Sequence, residues 1–388
     1  MKGEKKAPKL RFKGFTDDWE QRKLGDVAKI TAGGDINKGD LINKGKYPVI
    51  ANGLNNNGIV GYSNKYKIDA PAVTITGRGT LGVATARFIN FTPIVRLISI
   101  KSDLDPIYLE NVINNTHFVI ESTGVPQLTA PQVKRQTVIL SNCHIEQTKI
   151  GSLFLTLDNA ITLHEEKKRQ LERLKSALMQ KMFADKSGYP PVRFEGFSNE
   201  WEHCKLGDVA DFSKGTGYSK SDLKGTGSPI ILYGRLYTKY ETIIRNVDSF
   251  VVPKSGSVFS KGGEVIVPGS GETAEDISIA SVVEPAGILL GGDLNIIYPN
   301  SDLDPTFLAI TISNGKPHFD MARRAQGKSI VHLHNADLKH ISLKTPNLSE
   351  QKRISKIFEV LDQTITLHDQ KLNLLKLVKQ SLLQNMFI

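Results

Sequence analysis

The chain has 388 residues, 39% of them hydrophobic, with 50 Lys+Arg against 40 Asp+Glu and a formal net charge of +10. That length holds two or three ordinary domains. No apolar run approaches the roughly 18 to 20 residues of a membrane span, and the basic start, Met1 to Lys9, lacks the apolar segment of a secretory signal. Two distant cysteines, Cys143 and Cys204, support neither a disulfide framework nor a zinc site. A reducing cytoplasm is therefore the expected compartment. The surplus of Lys and Arg favours contact with a polyanion, although solubility alone also accounts for it.

In chain order, a Phe-Gly-Phe turn at Phe12 to Phe15 and Trp19 precede Lys23-Leu24-Gly25-Asp26-Val27, which starts either a short helix or a strand. From Ile30 to about Leu140 the sequence is rich in Gly and Asn, with β-branched runs between turns. Tyr47-Pro48-Val49-Ile50-Ala51, Ala72-Val73-Thr74-Ile75, Val83 to Ile89 and Ile94-Val95-Arg96-Leu97-Ile98 are the expected strands of a mixed, mostly β domain. Asp105-Pro106 opens a helix, with Asp as its cap and Pro in its first turn, and Asp304-Pro305 opens a second one in the same way.

From about Ile145 to Phe183 the pattern changes. Ile150, Leu157, His164, Leu171 and Leu178 recur every seven residues, with Phe154, Ile161 and Met182 on a companion stripe. This predicts an amphipathic helix of about 35 residues, or about 50 Å at 1.5 Å per residue. Ile354, Leu361, His368, Leu375 and Leu382, with Phe358, Ile365, Leu372 and Met386, repeat the pattern. A stripe so continuous needs a partner, and the twin helix is the nearest one. Two like units pack most simply about a pseudo-two-fold axis, which makes the helices antiparallel. His164 and His368 fall in the seam, where a buried or half-buried polar pair that sets register is preferred to a switch.

The repetition extends beyond the helices. Arg11-Phe12-Lys13-Gly14-Phe15, Trp19-Glu20 and Lys23-Leu24-Gly25-Asp26-Val27-Ala28 return as Arg193-Phe194-Glu195-Gly196-Phe197, Trp201-Glu202 and Lys205-Leu206-Gly207-Asp208-Val209-Ala210. Glu146-Gln147, Leu157-Asp158, Ile161-Thr162-Leu163-His164 and Met182-Phe183 return as Glu350-Gln351, Leu361-Asp362, Ile365-Thr366-Leu367-His368 and Met386-Phe387. A period of about 180 to 200 residues is too long for a solenoid. It is one domain plus one helix, duplicated. The expected segments are 1–144, a helix at 145–184, 185–348 with a linker at 185–192, and a second helix at 349–388.

Motifs with chemistry are few. Gly77-Arg78-Gly79-Thr80-Leu81-Gly82 matches GxGxxG, but a strand rather than a helix should follow it, so a hairpin presenting Arg78 and Thr80 is the better account. Gly327-Lys328-Ser329 resembles the end of a P-loop, yet Ala322 stands where its first Gly belongs. His332-Leu333-His334 suits a surface strand better than a metal site. Neither an Asn/Asp-Pro-Pro-aromatic tetrapeptide nor a nuclease-type Asp…Glu-x-Lys cluster stands out.

Polar residues on Gly-rich turns are the candidates for contact with a base edge. In the first block these are Asn52, Asn55, Asn56, Asn57, Arg78, Thr80 and Arg87. In the second they are Arg235, Tyr237, Lys239, Arg323, Arg324 and Lys328. Arg suits guanine's O6 and N7 and Asn suits adenine's N6 and N7, each by a two-point contact. Asn on a turn also serves left-handed backbone geometry without touching anything.

The paired Gly-Phe…Trp-Glu…Lys-Leu-Gly-Asp motif at Gly14 to Asp26 and Gly196 to Asp208 resembles the specificity subunits of type I restriction-modification systems. The two Glu-Gln…Leu-Asp…Ile-Thr-Leu-His stretches, Glu146 to His164 and Glu350 to His368, extend that resemblance over essentially the whole chain. It implies an α+β fold: two β-rich target recognition domains, each followed by a long α-helix, the two helices forming an antiparallel coiled coil with pseudo-two-fold symmetry. It also implies that each domain reads one half of an asymmetric bipartite site in double-stranded DNA. The helices would hold the domains apart and dock modification (methyltransferase) subunits, two being the expected number, with restriction (motor-nuclease) subunits joining through them. S-adenosylmethionine, ATP and Mg would be bound by those partners, and this chain would bind no cofactor and catalyse nothing. Base-contacting residues have no fixed motif position in that family, so none carries over.

A rod about 50 Å long can span roughly 15 base pairs, so helix length is expected to set the gap between half-sites. The alternatives are a fused nuclease or methyltransferase with an unrecognised catalytic motif, and a two-domain scaffold for proteins or glycans. A scaffold predicts contact with DNA that is weak and insensitive to salt, whereas a DNA reader loses affinity steeply as salt rises.

Overall fold

The computed structural model describes residues 7–118, 126–185 and 187–388. Residues 1–6 of the basic start and Lys186 of the expected linker lie outside the described residues. The chain divides into two compact units, Met1–Glu166 with Asp369–Ile388, and Lys167–His368. Each unit takes part of both long helices, so the compact units cut across the segments expected from the sequence order.

In the first unit a four-stranded antiparallel sheet runs in the order Lys29–Ala32, Ile98–Lys101, Ala72–Ile75, Ala84–Arg87. A three-stranded sheet joins Ile59–Ser63, Tyr47–Ile50 and Thr92–Pro93. The expected strands at Tyr47 and Ala72 are present. The one expected at Ile94 to Ile98 is corrected: Leu97 N donates to Ile94 O at 2.9 Å, closing a turn, and the strand begins only at Ile98. The run from Val83 to Ile89 shortens to Ala84–Arg87, because Phe88 and Ile89 leave the sheet and are exposed. Leu24–Val27 is a helix.

Asp105 caps the helix Pro106–Asn114 as expected, its carboxylate accepting from the Ile107 and Tyr108 amides. This helix, Trp19, Leu24 and the sheet share one core with Ile150 and Phe154 of the first long helix, with Met386 at the end of the second, and with Phe387 just after it.

The second unit repeats the plan with a larger sheet. Its order is Ala210–Lys214, Leu294–Pro299, Glu264–Pro268, Ser281–Val283, Ile243–Ile244. Asp304 caps Pro305–Ile312 through the Phe307 amide. The core gathers Trp201, Leu206, Phe307, Leu338, Ile354, Phe358 and Leu361, with Leu171 and Leu178 packed against it.

The duplicated motifs build the same joints in both units. Glu20–Lys23 pairs with Thr137–Leu140, and Glu202–Lys205 with Ser342–Thr345. The Leu24 and Leu206 amides donate to the carbonyls of Gln136 and Ile341, each at 2.9 Å. The Gly in each Leu-Gly-Asp is required by close packing. A Cβ on Gly25 would lie 3.0 Å from the Lys134 carbonyl oxygen, and one on Gly207 3.1 Å from that of Lys339. Arg11 grips Glu146 through Nε and Nη2, and Arg193 grips Glu350 in the same way.

The long helices are His144–Lys181 and Leu348–Met386. Within the first unit they run antiparallel, since Asp158 pairs with Lys379 and Glu165 with Lys376. Within the second, Lys175 pairs with Asp362 and the Phe183 ring packs against Phe358, again antiparallel. Ile150, Ile354 and Leu361 are buried. Leu157, Ile161, His164, Leu171, Leu178, Ile365, His368, Leu375 and Leu382 are half-buried, so every expected seam residue is at least partly covered. No described helix is long and apolar enough to cross a membrane.

Candidate nucleic-acid interface

In the first unit, the turns after Tyr47–Ile50 and between Ala72–Ile75 and Ala84–Arg87 meet at one corner. Asn52 sits between them with its amide engaged: Oδ1 accepts from Gly77 N at 2.6 Å and Arg78 N at 3.3 Å, and Nδ2 donates to Arg78 O. The chain of Arg78 is held on its other side by a β-bridge to Gln127. The guanidinium of Arg78 is exposed and makes no hydrogen bond or ion pair among the described residues. Thr80 lies on the same loop, where its carbonyl accepts from the Thr76 hydroxyl. The GxGxxG stretch is thus a hairpin loop between two strands, as expected.

Asn55, Asn56 and Asn57 form the neighbouring turn. Asn56 and Asn57 have φ of 50° and 52°, left-handed geometry that Asn tolerates better than most residues. Arg87 supports this turn from below, with Nε donating to Thr74 Oγ1 and Nη1 to Asn57 O, each at 3.0 Å. Burial lowers the Arg87 pKa, partly offset by Glu110. Asn52 and Arg87 therefore serve the loops themselves, while Asn55, Arg78 and Thr80 are exposed.

In the second unit, Arg235, Tyr237 and Lys239 lie on and just after the short helix Arg235–Thr238. Arg235 turns inward, donating to Glu241 Oε2 at 2.7 Å and Asn246 O at 3.1 Å. Lys239 is exposed and pairs with Asp248 at 3.0 Å. Tyr237 is half-buried beside Tyr233, ring centroids 6.3 Å apart, and burial followed by the neighbouring Tyr233 raises its pKa. Its ring lies close to Gly271, on the strand Ser270–Gly271 that pairs with Val331–His332. Arg323 and Arg324 end the helix Gly315–Arg324, and Lys328 stands on the exposed turn that follows. Gln326 and His332 close that turn with two backbone bonds, of 3.0 and 2.8 Å. A helix precedes Gly327-Lys328-Ser329 and a strand follows, the reverse of a P-loop. No metal-binding cluster of three or more His, Cys, Asp or Glu occurs among the described residues.

Part of the corner is built twice: the Leu128 amide donates to Gly77 O at 2.9 Å and the Leu333 amide to Gly269 O at 3.0 Å, while the side chains around them differ. The sequence profile of the type I restriction modification DNA specificity domain matches residues 16–173 and again 198–377. The chain belongs to this family. A putative type I specificity subunit of Mycoplasma pneumoniae is 28% identical over 143 residues, covering 35% of this chain and 39% of that protein. The match thus spans about two fifths of that relative's length. The MjaVIII specificity subunit of a type I restriction enzyme from Methanocaldococcus jannaschii is 20% identical over 380 residues, 90% of this chain and 87% of its own. In fold, the chain resembles the crystal structure of a type I restriction-modification S subunit from M. genitalium. The TM-score is 0.70 at 15% identity, over 98% of this chain and 99% of that one.

The turn-residue reasoning missed Arg96, Gln127, Ser270, Asp293 and His332 as members of these corners. Contacts around Gly77 and Gly269 bring them there, and no turn or motif signal in the sequence marks them.

Proposed function

We propose that this chain is the DNA-reading specificity subunit of a type I restriction-modification complex. Residues 1–144 and 185–348 are its two recognition domains, each reading one half of an asymmetric bipartite site. The helical stretches 145–184 and 349–388 are its spacers and the docking surface for modification subunits, through which restriction subunits join. Methyl transfer from S-adenosylmethionine, and the ATP- and Mg-dependent motor and nuclease chemistry, belong to those partners.

The observation that carries this reading is the corner that is built in part twice. Two domains that share their joints but differ in sheet size and in the side chains they present suit two different half-sites. The net charge of +10 supports it, because Lys and Arg on phosphates position a protein on DNA while base contacts supply sequence. In this reading the exposed Asn55, Arg78, Thr80, Arg323 and Lys328 face the DNA, with Asn57, Tyr237 and Arg324 at its margin. Asn52, Arg87, Arg235 and Lys239 shape the loops.

Selection from a random DNA pool by the chain joined to its modification subunit tests the reading. Enriched molecules should share two short half-sites separated by a fixed run of unspecified bases. A continuous motif would mean that one domain alone reads, and a pool without any motif would favour the scaffold.

A further inference from the structure

Three backbone positions are brought to the corner of each domain by equivalent contacts. In the first, Arg78 is bridged to Gln127, the Leu128 amide donates to Gly77 O at 2.9 Å, and a Cβ on Gly77 would lie 2.4 Å from Arg96 O. In the second, Ser270 is paired with His332, the Leu333 amide donates to Gly269 O at 3.0 Å, and a Cβ on Gly269 would lie 2.8 Å from Asp293 O. Residues 78 and 270, 96 and 293, and 127 and 332 are therefore counterparts.

The side chains at these positions differ in chemistry. Arg78 and Arg96 are exposed guanidiniums, and Arg96 Nη1 donates to Gln127 Oε1; among the described residues the Gln127 amide nitrogen and the remaining Arg donors have no hydrogen-bond partner, so they can meet an acceptor. In the second domain Ser270 is short and buried, while Asp293 and His332 are exposed. Asp293 has a φ of 58°, left-handed geometry for a residue with a side chain.

We propose that the exposed or half-buried side chains at these positions read bases, a triplet of Arg78, Arg96 and Gln127 in the first domain and a pair of Asp293 and His332 in the second, a claim that rests on the DNA reading above. Arg78, Arg96 and Gln127 present donors, which suit guanine's O6 and N7 in the first half-site. Asp293 presents an acceptor, which suits the exocyclic amine of cytosine or adenine in the second, with His332 beside it. Asn52 is a positioning residue: by holding both sides of the Gly77–Arg78 peptide it fixes where the Arg78 side chain starts.

The test is mapping of methylated adenines in cells that express the modification subunit with Arg96→Ala, Gln127→Ala, Gln127→Glu, Asp293→Ala, Asn52→Ala or Asn52→Asp chains. Arg96→Ala and Gln127→Ala should relax one position of the first half-site, by on the order of 10- to 100-fold in discrimination, and leave the second half-site intact. Asp293→Ala should do the converse. Gln127→Glu keeps the side-chain shape but removes the amide donor, so it should relax the same position even if the alanine variant folds poorly. Asn52→Ala should lower methylation at every cognate site without changing the motif. Asn52→Asp keeps the acceptor for the Gly77 and Arg78 amides and should recover part of it.

A split motif whose first half ignores Arg96 and Gln127 overturns the triplet alone. A parent chain that yields no split motif overturns the underlying DNA reading instead. A changed motif in Asn52→Ala would make Asn52 a contact residue and overturn its positioning role.

Discussion

The guanidinium of Arg193 holds both carboxylate oxygens of Glu350, Nε to Oε1 and Nη2 to Oε2, each at 2.7 Å. Nη1 of the same residue donates to Asn199 O at 2.6 Å, and the side chains of Arg193 and Glu350 are 13% and 1% exposed. Arg11, Glu146 and Asp17 O repeat the arrangement, and there the Trp19 indole adds a bond to Glu146 at 3.2 Å. These forks join the start of each duplicated motif to the start of a long helix.

Removing one partner of a buried fork leaves the other charge uncompensated, which costs roughly 3–5 kcal/mol. Glu350→Ala should destabilise the chain by that order in denaturant unfolding, and Arg193→Ala should do likewise. The double variant should cost less than the sum of the two. Losses within about 0.5 kcal/mol of the parent, the range of an ordinary surface substitution, would show that the fork contributes little.

The fork in the first unit carries a pH signature. Burial opposes ionisation of Glu146, but hydrogen bonds from Arg11 and Ser141 outweigh it, and the carboxyl pKa is held below its usual value. A depressed carboxyl contributes stability that is present above its unfolded pKa and lost as pH falls through the folded one. Stability measured against pH should therefore drop on the acid side of the ordinary Glu range. Glu146→Gln should flatten that limb, and an unchanged acid limb would contradict the assignment.

Gly77 is where the first domain tolerates no side chain, since a Cβ would meet the Arg96 and Leu128 carbonyl oxygens at 2.4 and 2.8 Å. Gly77→Ala must push the reading loops apart, at a cost of about 1–3 kcal/mol. Binding to the cognate site should fall sharply while the global fold, followed by circular dichroism, persists. Cognate binding equal to that of the parent chain would refute a requirement for this close approach.

Salt separates a DNA reader from a scaffold. Affinity for cognate duplex should fall log-linearly with salt, with a slope near −0.9 for each phosphate neutralised. Substituting Lys328 should reduce that slope by about one. A flat salt dependence would argue for the scaffold.

Helix length offers a geometric test of the spacer role. Seven residues inserted in both helices, after Leu163 and after Leu367, add about 10 Å, close to three base pairs. The gap between half-sites should lengthen by that amount while both half-sites stay the same. An unaltered gap would sink the spacer role.

The frame was legible in the sequence because it occurs twice. The Leu-Gly-Asp turn, the Asp-Pro caps and the heptad stripes are local patterns, and each folds the same way in both copies. The turn at Ile94 to Leu97 was not legible: a β-branched run predicts a strand, but Arg96 O packs against Gly77 and the chain turns there. The candidate contact residues were only half legible. Asn52 has the right chemistry for adenine, yet its amide faces a neighbouring loop, and Arg235 turns into its own domain. Arg96 and Asp293 reach their corners through strand pairing with distant segments, which residue type and turn propensity do not encode.

The most direct test of the central claim is the methylation map of the parent chain expressed with its modification subunit. The account predicts a split, asymmetric motif of two short half-sites, with guanine required in the half read by the first domain. A continuous motif, or a palindromic one with identical halves, would contradict the idea that two like frames read two different sequences.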